Sequence, residues 1–125
     1  KMDEIDLSRY TIIKNSNLKD ASSAIESIKD RAVLVIDEEK RIIGLISSGD
    51  IIRALISDVN IYSRVDNYLR TNFVYALEDE KINKEKIEDI FLNQQLSLLP
   101  IVNKQMQLKS VITLRSYLRS LRSKD

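Results

Sequence analysis

The residues whose types and spacing allow chemistry lie in one short run, Ser47-Ser48-Gly49-Asp50. A β-prone stretch, Arg41 to Ser47, precedes it, and Ile51, Ile52, Leu55 and Ile56 follow at helical spacing. The run therefore sits where a strand gives way to a helix. A helix start presents backbone N–H groups without intrahelical partners, which attract an anion such as a phosphate, and the Ser47 and Ser48 hydroxyls add donors there. The small Ser48-Gly49 pair admits close approach to the backbone. Asp50 is a double acceptor, suited to two adjacent hydroxyls. The same residues also fit a capping box, with Ser47 as N-cap and Asp50 at N3, which needs no ligand. Both readings stand on the sequence. Arg53, three residues further on, reads as a solvated or interface arginine that is also within reach of a phosphate.

Other chemistries are excluded by composition. The 125 residues include no cysteine and no histidine, which removes disulfides, thiolate zinc sites and histidine acid-base catalysis. Glu38-Glu39 and Glu78-Asp79-Glu80 fall in polar loops and lack both calcium-loop alternation and the pairing of an acid-base site. No metal and no catalytic residue is expected, and the chain is not expected to be an enzyme on its own. Twenty Lys plus Arg balance 19 Asp plus Glu, so a net charge of +1 gives no reason to expect nucleic acid or an acidic membrane as partner. The basic run Arg115, Arg119, Arg122, Lys124 reads as a solvated helix face. No apolar stretch approaches the roughly 20 residues of a membrane span. No secretory signal is visible, and a cytoplasmic location is expected. Tyr62, Tyr68 and Tyr75 read as packing residues near the join between the halves, with nucleobase stacking as the alternative.

The site must be positioned by elements that occur twice. The segment Val35 to Ser47 returns 66 residues later as Ile101 to Thr113, apolar position on apolar position, with a hydroxyl residue closing each. The first copy opens on Tyr10-Thr11-Ile12-Ile13 as a strand. A helix near 17–29, a buried strand Ala32 to Ile36, a hairpin at 37–40, a return strand 41–47 and a helix near 48–58 follow. Ile61, Val65, Tyr68 and Leu69 suggest a linking helix. The second copy offers a strand Phe73 to Leu77 and a helix capped by Asn83 bearing Ile87, Ile90, Phe91 and Leu92. A strand at 98–102, a strand at 108–113 and a helix bearing Tyr117, Leu118 and Leu121 complete it. The predicted class is α+β, each half running strand-helix-strand-strand-helix, with domains at 6–60 and 61–122. Units of about 60 residues bury too little surface alone. They are expected to share a core about a pseudo-twofold axis.

Taken together, Thr11-Ile12, Leu18-Lys19-Asp20-Ala21, Leu34 to Glu38, Ile43 to Ile51, and Leu99-Pro100-Ile101-Val102-Asn103 resemble a tandem pair of CBS domains, also called a Bateman module. The resemblance covers about residues 6–122. Ser48 to Leu55 is further similar to CBS pairs found N-terminal to bacterial sugar-phosphate nucleotidyltransferase domains. The resemblance implies a regulatory module with an adenosine-type ligand, AMP, ADP, ATP or S-adenosylmethionine, in the cleft between the halves. It also implies a homodimer and an attached or partner catalytic domain. By that likeness Ser47, Ser48 and Gly49 take the phosphate region and Asp50 the ribose hydroxyls, while Ile13, Ala32 and Val33 wall the adenine. The second half departs from the pattern. Thr113 remains as a cap, but Ser116 stands for the aspartate, Arg115 for the glycine before it, and Ser110 for Gly44. That site is expected to be empty or to bind something different. A ligand-free dimerisation module is the alternative.

Overall fold

The computed structural model describes residues 6–94 and 96–122, so Lys124 of the basic run lies outside the described residues. The chain divides into two compact units, one reaching Phe73 and the other starting at Val74.

In the first unit β1 (Thr11–Ile13) leads through α1 (Leu18–Ile28) to β2 (Ala32–Ile36). β2 pairs parallel with β1, Ile12 opposite Val35. β3 (Ile42–Ser47) returns antiparallel to β2, giving the order β1-β2-β3, and α2 (Ser48–Ile56) follows at once. α1 starts where Asn17 and Asp20 form a reciprocal capping box, each side chain accepting from the other's backbone N–H. It stops at Lys29, which turns left-handed at φ 53°. The helical spacing of α1 places Leu18, Ala21, Ile25 and Ile28 on one buried face. Val33 and Val35 of β2, Ile46 of β3, and Ile51 and Ala54 of α2 complete that core. Leu34, between the two valines, is fully buried on the opposite face of the sheet.

The second unit repeats the plan. β4 (Ala76–Leu77) pairs parallel with β5 (Leu98–Val102), and β6 (Leu108–Thr113) returns antiparallel before α4 (Leu114–Arg122). Between β4 and β5 lies α3 (Lys84–Glu88), capped by Asn83 and continued by a π-helical turn at Asp89–Asn93. Ile90, Phe91, Leu99 and Tyr117 form its core, the Phe91 and Tyr117 rings stacked 5.6 Å apart.

The duplication extends to single hydrogen bonds. Asp37 Oδ1 accepts from the backbone of Glu39 and Arg41, and Asn103 Oδ1 accepts from Gln105 and Gln107 in the same way. The fourth residue of each turn, Lys40 and Met106, is left-handed at φ 65° and 66°. Both hairpins carry a bulge, between Val35 and Ile36 and between Ile101 and Val102. Side-chain bonding to the backbone holds these turns where an Asn-Gly signal is missing.

Three expectations are corrected. Residues 61–69 form no linking helix; the helical turn there is a single 3-10 turn at Val65–Asn67. Nor do they go with the second unit. The first-turn N–H groups of α1 need acceptors, and the Ser63 and Ile61 carbonyls accept from Leu18 and Lys19. Val65 N–H donates to Ser16, Arg70 pairs with Leu45 of β3 in both directions, and the Val65 side chain is fully buried in the first core. A helix here would spend those carbonyls on itself. The strand expected over 73–77 is confined to Ala76 and Leu77.

Candidate functional site

The head of α2 is built by the β3 ladder. Ser47, the last residue of β3, pairs with Ala32 of β2, and Ser48 N–H donates to the Arg31 carbonyl at 2.8 Å. These bonds fix the point where the strand becomes a helix.

Ser47 and Asp50 form a complete capping box. Asp50 N–H donates to Ser47 Oγ at 3.1 Å, while Ser47 N–H and its hydroxyl donate to Asp50 Oδ2 at 2.9 and 2.8 Å. Two arginines share the carboxylate. Arg53 Nη2 donates to Oδ1 at 2.7 Å, and Arg70 Nε donates to both oxygens at 3.0 and 3.1 Å. The Asp50 side chain is only 11% exposed, whereas Arg53 and Arg70 are 62% and 55% exposed. Burial pushes the Asp50 carboxyl up, but the bonds from Ser47, Arg53 and Arg70 together outweigh it, and the group lies below the ordinary aspartate range. It is an anion at neutral pH.

With Ser48 N–H taken by Arg31 and Asp50 N–H by Ser47, Gly49 supplies the first-turn N–H left for an outside acceptor. A Cβ built on Gly49 would stand 3.3 Å from Arg53 Nη1, so that guanidinium lies over the first turn.

The structure brings some of the expected residues together and separates others. Ser47, Ser48, Gly49, Asp50 and Ala32 form one neighbourhood. Val33 is fully buried in the core beneath α1 and α2. Ile13 pairs with Ile36, four residues along β2 from Ala32, hence roughly 13 Å away along the strand. Arg70 was not foreseen. No spacing marks it, since it reaches Asp50 only because residues 57–73 fold back over β3.

The corresponding capping pair in the second unit is neutral. Thr113 Oγ1 accepts from Ser116 N–H at 2.9 Å, Ser116 Oγ accepts from Thr113 N–H, and Leu114 N–H donates to Ser97 as Ser48 does to Arg31. The cap is reproduced without a charge. On α2, Ile52, Leu55 and Ile56 are exposed, and on α4 Leu118 and Leu121. Tyr62 is exposed, with Lys19 Nζ 5.8 Å from its ring centre. Among the described residues no group of acidic side chains could hold a metal ion. No described helix is long and apolar enough to cross a membrane.

Comparison with known proteins places this geometry. Residues 8–57 match the CBS domain family. An uncharacterized 17.7 kDa protein of Acidianus ambivalens is 27% identical over 112 residues, covering 90% of this chain and 66% of that protein. The chain spans 66%, 22% and 19% of the lengths of the curated relatives it matches. Among solved structures, the CBS domain pair of protein MJ0100, in complex with 5-methylthioadenosine and S-adenosylmethionine, superposes with a TM-score of 0.73 at 20% identity. It covers 92% of this chain and 89% of that one. The CBS domain protein PAE2072 of Pyrobaculum aerophilum, complexed with AMP, gives 0.68 at 13% identity, covering 91% of each chain. Residues 8–57 thus match the CBS domain family, and the chain as a whole has the α+β fold of solved tandem CBS pairs.

Proposed function

We propose that this chain is a regulatory module that binds an adenosine-type nucleotide at the head of α2 and modulates an attached or partner protein. One observation carries the reading. The second unit caps its helix with two hydroxyls, Thr113 and Ser116, so the fold does not need a charge there. Asp50 nevertheless places an ionised, largely buried carboxylate at the same point of the first unit. Its double acceptor suits ribose hydroxyls, and Ser47, Ser48 and the Gly49 N–H suit a phosphate. MJ0100 and PAE2072, of the same fold, were solved with adenosine compounds. A bound nucleotide would act by favouring one arrangement of the module over another. A bacterial sugar-phosphate nucleotidyltransferase is the attached domain that Ser48 to Leu55 suggests, and cytoplasmic nucleotides are its ligand pool. Thr113 and Ser116 mark a degenerate second site. The test is thermal unfolding with AMP, ADP, ATP and S-adenosylmethionine at about millimolar concentration. A saturable upward shift in wild type, reduced in Asp50→Ala, is expected; no shift with any of the four rejects the reading.

A second reading, a ligand-free homodimerisation module, is favoured by Ile52, Leu55 and Ile56, which α2 leaves exposed. Sedimentation showing a dimer that dissociates in Ile52→Glu and Ile56→Glu, without any nucleotide effect, would select it.

A further inference from the structure

Resting on the nucleotide reading above, we propose that Arg53 and Arg70 make this site select phosphorylated adenosines over neutral or sulfonium ones. The Asp50 carboxylate is already full. Oδ2 accepts from Ser47 and Arg70, and Oδ1 accepts from Arg53 and Arg70. Ribose hydroxyls can take this carboxylate only by displacing one or both guanidiniums. A neutral nucleoside leaves the displaced guanidiniums with no anion in place of Asp50. A phosphate returns one, in a geometry that the guanidinium fork matches. Both arginines are placed to receive it. Arg53 lies over Gly49, beside the remaining first-turn N–H of α2, and Arg70 is more than half exposed on the segment paired with β3. S-adenosylmethionine puts a sulfonium where AMP puts its phosphate, and its one carboxylate, beyond that sulfur, is offset by its own ammonium, so a third net positive charge comes to the same place.

The exchange makes Arg70 a specificity residue with an asymmetric signature. Removing its charge weakens a phosphorylated ligand, but it frees Asp50 and so spares or improves a nucleoside. Calorimetric titration of AMP, adenosine and S-adenosylmethionine into wild type, Arg70→Gln and Arg53→Gln tests this, with circular dichroism as the check on folding. In wild type AMP is expected to bind at least about tenfold tighter than the other two, with an affinity that falls as salt rises. Arg70→Gln is expected to narrow the AMP-to-adenosine ratio by about tenfold. If Arg70→Gln unfolds, Arg53→Gln on the exposed face of α2 must narrow the ratio by itself. Equal binding of adenosine and AMP to wild type, or an unchanged ratio in the folded variants, overturns the selectivity while leaving the nucleotide reading standing. Absence of binding by all three ligands overturns both.

Discussion

Arg70 Nε donates to both carboxylate oxygens of Asp50, at 3.0 and 3.1 Å, from 20 residues further along the chain. The contact joins the cap of α2 to the segment paired with β3, so the site and the local fold share one carboxylate.

Removing that carboxylate has a measurable effect on stability. In Asp50→Ala the Ser47 N–H loses its acceptor and α2 loses half of its capping box, a loss of about 1–2 kcal/mol. The Arg70 pair adds little, because Arg70 is 55% exposed; a double-mutant cycle with Arg70→Gln should give a coupling below about 1 kcal/mol. Urea unfolding measures both. An Asp50→Ala midpoint equal to wild type would contradict the role of the cap.

The same carboxylate shapes the pH dependence. Asp50 lies below its ordinary value because the bonds from Ser47, Arg53 and Arg70 outweigh burial. Asp37 is lowered too, first by the backbone bond from Arg41. A carboxyl with a depressed folded-state pKa binds fewer protons folded than unfolded, so it adds stability above the unfolded value of about 3.9. That stability is lost as pH falls through the folded value. With no histidine in the chain, stability should be level between about pH 8 and 5 and fall below about 4.5. Asp50→Asn should make the acid limb shallower. A limb of wild-type steepness in that variant would show that Asp50 does not titrate with folding.

Gly49→Ala separates capping from binding. A Cβ there meets the flexible end of the Arg53 side chain at 3.3 Å and Ser47 Oγ at an ordinary 3.7 Å, and the glycine sits inside a helix without positive φ. Alanine should therefore be neutral or stabilising by up to about 1 kcal/mol without ligand. It should also weaken nucleotide binding, because it fills the approach to the Gly49 N–H and crowds the guanidinium. Unfolding and titration of one variant decide the matter; a variant both more stable and equally avid would leave Gly49 without a part in the site.

How far the sequence reveals this arrangement depends on how local each cause is. The capping box at Ser47 and Asp50 is legible because it spans four residues, and the paired hairpins are legible because Asp37 and Asn103 recur at the repeat distance. The facing of Val33 is hidden in a continuous apolar strand, where alternation turns its side chain toward α1 and α2. The separation of Ile13 from Ala32 is not legible, because the register of a parallel strand pair is set through the intervening helix, which sequence spacing does not measure. Residues 61–69 mimic helical periodicity, yet their carbonyls are claimed by α1 and β3. That long-range demand also delivers Arg70, which is why nothing nearby announces it.

Gly44 tests the same long-range contact from the other side. Segment 69–70 crosses β3 so closely that a Cβ on Gly44 would stand 2.8 Å from the Arg70 carbonyl oxygen and 3.1 Å from Leu69 Cβ. The first obstacle is backbone, held by two hydrogen bonds to Leu45, so it cannot swing aside as a flexible side chain would. The second unit carries Ser110 where the first has Gly44, so a side chain is compatible with the sheet itself; only the crossing segment forbids one. Gly44→Ala should therefore destabilise by about 1–3 kcal/mol and lift Arg70 from its register. Because Arg70 holds Asp50, amide exchange should speed up at Leu45 and Arg70 before it does in β2. A Gly44→Ala protein with wild-type stability and protected Leu45 and Arg70 amides would show that the segment does not press on β3, and the ion pair with Asp50 would then need another support.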